Sequence, residues 1–155
     1  MSVKFYCDIN LLRLCKWLRF LGFDTVTYPE LSKSGIQNLC IKDRRVFLTR
    51  NKKLHKLLCK VEIISDENYI LQLQAILAKY KYEINSISSR CMKCNKKLKR
   101  INNDAHLNLK AKSPNLLDSI PKDYYQELSY CPKCGNFYWK GSHYNNMLEV
   151  INTIS

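Results

Sequence analysis

The first half of the chain alternates short apolar runs with segments whose apolar residues recur at helical spacing. The apolar runs predict strands at residues 4–7, 24–28, 45–49 and 61–64. The helical spacing predicts helices at residues 10–21, 36–41, 52–59 and 69–80, with Gly22 ending the first and Ser65 capping the last. Strands that alternate with helices favour a mostly parallel sheet flanked by helices, so the predicted fold class is α/β.

In sheets of this kind, ligands bind beyond the carboxyl ends of the strands. The first predicted strand ends at Cys7-Asp8, and the third ends at Thr49-Arg50-Asn51. A candidate site is therefore expected beyond these strand ends.

The pattern changes around residues 83–89, where the helical repeat gives way to a polar connector. We place a domain boundary there, with an α/β domain at residues 1–86 and a smaller domain at residues 87–155. The last residues, 142–154, predict a helix with Met147, Leu148 and Ile151 on one side. A spacer of 36 residues between two cysteine pairs contains Pro114 and Pro121 and predicts an insertion.

The two cysteine pairs, Cys91/Cys94 and Cys131/Cys134, have the spacing of a structural zinc site. Asn95 and Gly135 follow the pairs, and both residue types tolerate the left-handed backbone position that such a turn requires. Four thiolates would leave Zn²⁺ no open position, so the metal is expected to fold a segment too small to build its own core. The alternatives are disulfides or a redox pair, but a redox pair is expected beside the first strand and helix of an α/β unit.

Four other cysteines stand alone on apolar segments: Cys7, Cys15, Cys40 and Cys59. We expect them to be small buried hydrophobic residues in a reducing compartment.

Composition adds a strong positive charge, with 26 Lys and Arg against 13 Asp and Glu and a formal net charge of +13. Residues 1–86 carry 15 basic and 8 acidic side chains, and residues 87–155 carry 11 and 5. A charge excess spread over both halves favours a polyanionic partner such as RNA over a single disordered basic arm. Because no run reaches the roughly 20 apolar residues of a membrane span and the start leads directly into a strand, we expect a cytoplasmic protein without a membrane partner.

Two stretches concentrate this charge, one around the third strand and one around the first cysteine pair. The candidate phosphate contacts are Lys42, Arg44, Arg45, Arg50, Lys52, Lys53, Arg90, Lys93, Lys96, Lys97, Lys99 and Arg100, with Lys56 and Lys60 extending the first stretch. These residues suit contacts with the phosphate backbone of a nucleic acid, and their pattern does not indicate recognition of particular bases. Aromatic residues that could stack on bases are Tyr124, Tyr125, Tyr130, Phe137, Tyr138 and Trp139, although packing in a core is the more common role for each.

Several segments resemble the Mut-seven C-terminal RNase domain family. The first are residues 3–8 and 14–25, which include the run Trp17-Leu18-Arg19-Phe20-Leu21-Gly22-Phe23-Asp24. The others are residues 45–51, 89–95 and 131–143, and Met147 follows the last of them at the spacing of the family. The resemblance implies a PIN-like nuclease fold followed by a zinc ribbon.

The family's site is expected to gather carboxylates at strand ends to hold Mg²⁺ or Mn²⁺. Asp8 matches the first of these positions, and Asp24 matches another family position that a turn could need structurally. Asn51 stands where the family usually has an aspartate after Thr-Arg, and residues 31–35 lack the acid expected before the second helix. A divalent ion needs anionic oxygens, so Asp8, Asn51 and Asp24 are interpreted as a vestigial acidic site.

The leading hypothesis is a non-catalytic protein that binds structured RNA or a ribonucleoprotein such as the ribosome, with structural Zn²⁺ and no small-molecule cofactor. The alternative is an active RNase that requires Mg²⁺ or Mn²⁺ and recruits Asp24, Asp43 or Asp66 in place of the missing acids. Metal-free cleavage through His143 and a scaffold that binds only protein are further options.

Overall fold

The structure is a computed structural model that describes residues 3–27, 32–101 and 127–154, together with residues 120 and 123. The chain forms two compact units, Met1–Asn95 and Lys96–Ser155. The division into folding domains at residues 1–86 and 87–155 stays a prediction.

The first unit contains a four-stranded sheet in which every strand pair is parallel. The strands are β1 (Lys4–Cys7), β2 (Asp24–Thr27), β3 (Arg45–Thr49) and β4 (Val61–Ile63), in the order β2-β1-β3-β4. The helices are α1 (Leu12–Phe20), α2 (Lys33–Asp43) and α3 (Tyr69–Lys79). The predicted α/β fold is confirmed.

Alternating residues of β1 pack on opposite faces of the sheet, as the two-residue period of a strand requires. Phe5 makes edge-to-face ring contacts with Phe23 and with Tyr80 at the end of α3. Tyr6 belongs to a different cluster, which includes Cys40 of α2 and Phe47 of β3. Helices therefore flank the sheet on both faces.

Helix α1 ends where the sequence predicted, because Gly22 takes a positive φ of 89°. A side chain at this position would also collide with the backbone oxygen of Ser86. Glycine is thus required here both by the backbone conformation and by the close approach of residue 86.

The predicted bounds of one helix, the predicted cap of another and the predicted type of a third are wrong. Helix α2 begins earlier than residue 36 because Ser32 caps it, accepting a 3.1 Å hydrogen bond from the Gly35 amide. Helix α3 is capped by Asn68 and not by Ser65, since the Asn68 side chain accepts from the Ile70 amide at 2.8 Å. The helix predicted at residues 52–59 is a shorter 3-10 helix, Lys52–Lys56.

The second unit contains a small antiparallel sheet and a helix. Its strands are β5 (Lys99–Arg100), β6 (Ser129–Tyr130) and β7 (Phe137–Tyr138), followed by α4 (Ser142–Ile154) as predicted. Ile101, Ile120 and Leu128 form its apolar cluster. The predicted insertion with Pro114 and Pro121 lies outside the described residues.

Candidate functional site

The carboxyl ends of β1 and β3, beyond which the sequence predicted a ligand site, lie next to each other in the sheet. The register places Cys7 opposite Leu48, and the Asp8 amide continues the pairing by donating to the Leu48 carbonyl at 2.9 Å. The Thr49 hydroxyl then donates to Asp8 Oδ2 at 2.7 Å. The Asp8 carboxylate is therefore fixed at the edge of the sheet, with the Asn10 amide donating to its other oxygen at 3.4 Å.

Asn51 has a local structural role at the same edge. Its side-chain oxygen accepts from the Lys53 amide at 3.0 Å and so caps the 3-10 helix Lys52–Lys56. The backbone amide of Asn51 donates to the Thr49 hydroxyl at 3.1 Å. Asn51 thus adds no negative charge beside Asp8.

Asp24 does not join Asp8, and the prediction that it belongs to the same acidic site is corrected. The register pairs Asp24 with Lys4 at the start of β1, about 10 Å along the strand from Cys7. At that opposite edge the Asp24 carboxylate accepts from Arg45 Nη1 and from Asn95 Nδ2, both at 2.8 Å. In a parallel sheet, residues that begin a strand cannot share a site with residues that follow one.

The other two acids considered as replacements for the missing carboxylates also lie at opposite edges of the sheet. Asp43 lies at the amino edge of β3, 3.6 Å from Arg45 Nε. Asp66 follows β4 and is exposed, and its backbone oxygen accepts from Gln72 Nε2. Within the described residues, the sole group of three or more potential metal-ligating side chains is made of cysteines.

Those cysteines are the four predicted zinc ligands, Cys91, Cys94, Cys131 and Cys134. Their sulfur atoms all lie within 4.8 Å of one another, and the first cysteine of each pair is buried. Tetrahedral Zn²⁺ with Zn–S bonds of about 2.3 Å requires sulfur atoms about 3.8 Å apart. The donor set and its spacing fit zinc, so the cluster could hold one Zn²⁺ ion with no position left for substrate.

The two Cys-x-x-Cys turns share one backbone conformation. Asn95 and Gly135 have φ angles of 68° and 73°, as predicted. Their amides donate to the carbonyls of Cys91 and Cys131, at 2.8 and 2.9 Å. In the first turn the Cys94 amide also donates to Cys91 Sγ at 3.4 Å, which is the contact that stabilises a thiolate.

Sequence reasoning missed Arg19, which is 6% exposed and contacts the first cysteine turn. The available signal is its position four residues after Cys15 and eight after Leu11 on the apolar stripe of α1. A charged residue on such a stripe needs buried partners, and the structure supplies them.

All of the predicted phosphate contacts are exposed except Arg45 and Arg90. The first basic stretch is contiguous in the sequence but divided in space, because β3 crosses the sheet between its two parts. Lys42 and Arg44 lie at the amino edge of β3, whereas Arg50, Lys52 and Lys53 lie at its carboxyl edge beside Asp8.

Arg45 and Arg90 are corrected from phosphate contacts to structural residues. The Arg45 side chain is 11% exposed, and its Nη1 donates to the Phe5 carbonyl and to Asp24. The Arg90 side chain is 15% exposed, and it donates to the carbonyls of Gly22 and Asn95, both at 3.0 Å. Each guanidinium group therefore already donates to acceptors of the protein itself.

The aromatic candidates also separate by environment. Tyr130 and Phe137 pack against the apolar cluster of the second unit, and Trp139 is 37% exposed. Tyr124 and Tyr125 lie outside the described residues.

Three of the four isolated cysteines are buried as predicted, with Cys7, Cys15 and Cys40 at most 1% exposed, whereas Cys59 is half-buried. Burial, followed by the neighbouring Cys59, raises the pKa of Cys40 to about 12. Burial likewise raises the pKa of Cys7 well above its usual value. A thiol held protonated in this way is a poor nucleophile.

A four-stranded parallel sheet flanked by helices, with four clustered cysteines after it, defines an α/β protein with a zinc-ribbon type of metal centre. The family model described as Mut7-C RNAse domain matches residues 3–151. Because this match covers nearly the whole chain, the protein belongs to the Mut7-C RNAse domain family.

Comparison with curated proteins and with solved structures gave no match. In the part of the chain that the structure describes, no helix is both long and apolar enough to cross a membrane.

Proposed function

We propose that this protein binds structured RNA, alone or in a ribonucleoprotein such as the ribosome, and does not cleave it. The observation that carries the proposal is the contrast at the carboxyl edge of the sheet. The exposed cations Arg50, Lys52 and Lys53 follow β3 at this edge, and Asp8 is the acid there that matches a family position. Family membership supports RNA as the polyanion.

The charge balance at this edge explains why binding is favoured over catalysis. Mg²⁺ and Mn²⁺ are held through carboxylates and must at the same time activate water. Asp8 supplies one negative charge, Asn51 supplies none, and Lys52 and Lys53 add positive charge in the 3-10 helix that follows β3. Asp66 and Glu67 follow β4 at the same edge, but among the described residues no carboxylates converge into a group that could hold a metal, so the edge suits phosphate better than a divalent cation.

Arg50 illustrates how phosphate could be accommodated. Its Nη2 lies 3.0 Å from Glu67 Oε1, in an ion pair whose side chains are 39% and 88% exposed. Exposed pairs of this type contribute about 1 kcal/mol or less. An RNA phosphate can therefore replace Glu67 on the arginine at little cost.

In this proposal Zn²⁺ is the resident metal and has a structural role. It would be held by Cys91, Cys94, Cys131 and Cys134 and would fix the two turns that precede and follow the insertion. Its chemistry there is to bind thiolates, which leaves RNA contacts to surface lysines and arginines such as Lys96, Lys97 and Lys99.

The test measures RNA affinity and RNA cleavage on the same preparations. Replacing Lys52, Lys53 and Lys56 together with glutamine should weaken binding about tenfold or more at low salt, since several phosphate contacts are lost. A matched control replaces Lys4, Lys16 and Lys81, which are exposed and lie outside both basic stretches. Equal losses in the two triple variants would show that only net charge matters and would contradict a defined binding surface.

Family membership favours one competing function, a divalent-metal-dependent RNase. Such an enzyme would need further acids beside Asp8, and Glu30 follows β2 in the sequence, outside the described residues. Cleavage with added Mn²⁺ that disappears in both Asp8→Ala and Glu30→Ala would establish the enzyme. We expect no such cleavage.

A further inference from the structure

We propose that the α/β unit preorganises one half of the metal site, through a buried polar node formed by Arg19, Asp24 and Asn95. The node holds the Cys91–Cys94 turn in its metal-binding conformation before the metal arrives. The inference rests on the zinc assignment proposed above and does not depend on RNA binding. All the residues of the node belong to the first compact unit.

Arg19 fixes the peptide groups of the turn. Its Nη1 donates to the carbonyls of Met92 and Lys93, both at 2.9 Å, and its Nε donates to the Thr25 carbonyl at 2.8 Å. The Lys93 carbonyl and the Cys94 amide belong to one planar trans peptide, so they point in opposite directions. By holding that carbonyl, Arg19 directs the Cys94 amide at Cys91 Sγ, 3.4 Å away.

Asn95 ties the end of the turn to the edge strand β2. Its amide closes the turn on the Cys91 carbonyl, while its side-chain oxygen accepts from the Thr25 amide at 3.0 Å. Its side-chain nitrogen donates to Asp24 Oδ1 at 2.8 Å. Asn95 is 8% exposed, and Thr25 is fully buried with both of its backbone polar groups bound by Asn95 and Arg19.

Asp24 anchors the node by charge. Arg45 Nη1 lies 2.8 Å from its Oδ1, and Arg90 Nη2 lies 3.7 Å from its Oδ2. Burial alone would raise the pKa of Asp24, but the hydrogen bonds from Arg45 and Asn95 and the two arginine charges outweigh it and lower the pKa. The carboxylate therefore stays ionised at neutral pH and keeps the Asn95 amide oriented.

The second turn has Gly135 where the first has Asn95, so it has no side chain at this position that could make the bonds of the node. Among the described residues, no heavy atom lies within 4 Å of the place where a Cβ of Gly135 would stand, apart from the glycine and its chain neighbours. Since the two turns share a backbone conformation, they differ here in the side chain and its partners. A half-site that is already ordered does not have to be ordered when the metal binds, so the node should raise metal affinity.

The first test is Asn95→Gly, read out as Zn²⁺ or Co²⁺ affinity of the full chain in competition with a chelator. Glycine accepts a positive φ more easily than asparagine, so a purely conformational role predicts equal or tighter binding. The node predicts the opposite sign, a loss of about tenfold or more, which is typical when groups that orient metal ligands are removed. Equal or tighter binding would overturn the proposal.

The matched control is Gly135→Asn, which makes the reciprocal exchange at the second turn. It should change metal affinity much less than Asn95→Gly does, because asparagine tolerates the φ of 73° and no heavy atom of the described residues lies within 4 Å of the new Cβ. Co²⁺ absorption should show tetrahedral thiolate coordination in both variants. An equal loss in both variants would contradict a role specific to the first turn.

The second test is amide hydrogen exchange of the wild-type chain with the metal removed. We expect the Asn95 amide to stay protected, because the α/β unit holds its turn without the metal. The Gly135 amide should lose protection, since its bond to Cys131 belongs to a turn without the node. Equal loss of protection at both positions would overturn the proposal, whereas RNA affinity reports separately on the proposed function.

Discussion

The Thr49 hydroxyl donates a 2.7 Å hydrogen bond to the Asp8 carboxylate, joining the ends of two neighbouring parallel strands. Thr49 is fully buried, so Asp8 is the acceptor for a hydroxyl that water does not reach. The acid that the family resemblance assigns to catalysis thus also has a structural task. A test of Asp8 must therefore separate the effect of its charge from the effect of its hydrogen bond with Thr49.

Replacing Asp8 with asparagine should keep the acceptor for Thr49 and remove only the charge. We expect RNA affinity to stay the same or to rise slightly, because one anion facing phosphate is lost. Asp8→Ala should in addition destabilise the fold by about 1–3 kcal/mol, because the buried hydroxyl loses its partner. Filter binding and denaturant unfolding of the two variants separate the effects, and a large loss of affinity in Asp8→Asn would contradict the proposal.

The neighbouring arginines Arg44 and Arg45 should give opposite results when each is changed to glutamine. Arg45→Gln should destabilise the fold by about 2–3 kcal/mol, because Asp24 loses a charged hydrogen-bond partner. Arg44→Gln should leave stability nearly unchanged and weaken RNA binding, because Arg44 is exposed. Both variants lose one positive charge. Equal effects on RNA affinity would therefore contradict the view that Arg44 contacts RNA and Arg45 does not.

Salt dependence should report on the second basic stretch. Neutralising Lys96, Lys97 and Lys99 together should reduce the slope of log affinity against log salt by about 0.7–0.9 for each phosphate contact removed. Binding should weaken by the same factor for unrelated RNA sequences, since these residues contact the backbone. A slope that does not change would mean that these lysines do not contact phosphate.

Metal removal should affect the two units differently. Elemental analysis should find about one Zn²⁺ per chain, and Cys131→Ala should unfold the second unit while the parallel sheet keeps its circular-dichroism signal. The α/β unit has its own core around Phe5, Tyr6 and Phe47. Concerted unfolding of the whole chain on metal loss would contradict this expectation.

Glu62 should make a pH-dependent contribution to stability. Burial opposes its ionisation, but the hydrogen bonds from Lys79 and Tyr80 and the nearby lysine charges outweigh burial and lower the pKa of Glu62. A carboxyl whose pKa is lowered by folding stabilises above its unfolded pKa of about 4.3, and this contribution is lost as the pH falls through the folded value.

Glu62→Gln should therefore be less stable than wild type at pH 7, and the difference should shrink towards zero in acid. Denaturant unfolding of both proteins across this range measures it. A difference that stays constant with pH would show that the ionised carboxylate is not what stabilises the native state.

Local pattern determined several features of this protein without any knowledge of the fold. The bounds of β3 and α4, the left-handed positions at Gly22, Asn95 and Gly135 and the ligand types of the metal site all follow from neighbouring residues. These features depend on side-chain period, turn chemistry and spacing, which the sequence displays directly. The same local signals identified helix caps less well, since Ser32 was not recognised as a cap and Ser65 was preferred to Asn68.

Only the tertiary structure decided which charged residues share a site. Asp8 and Asp24 both match family positions, but strand direction and register place them at opposite edges of the sheet. Arg44 and Arg45 are adjacent, yet one is exposed and the other is paired with Asp24. Partners such as Arg19 and Lys93 are 74 residues apart, and such pairings depend on how the elements pack, which no local pattern encodes.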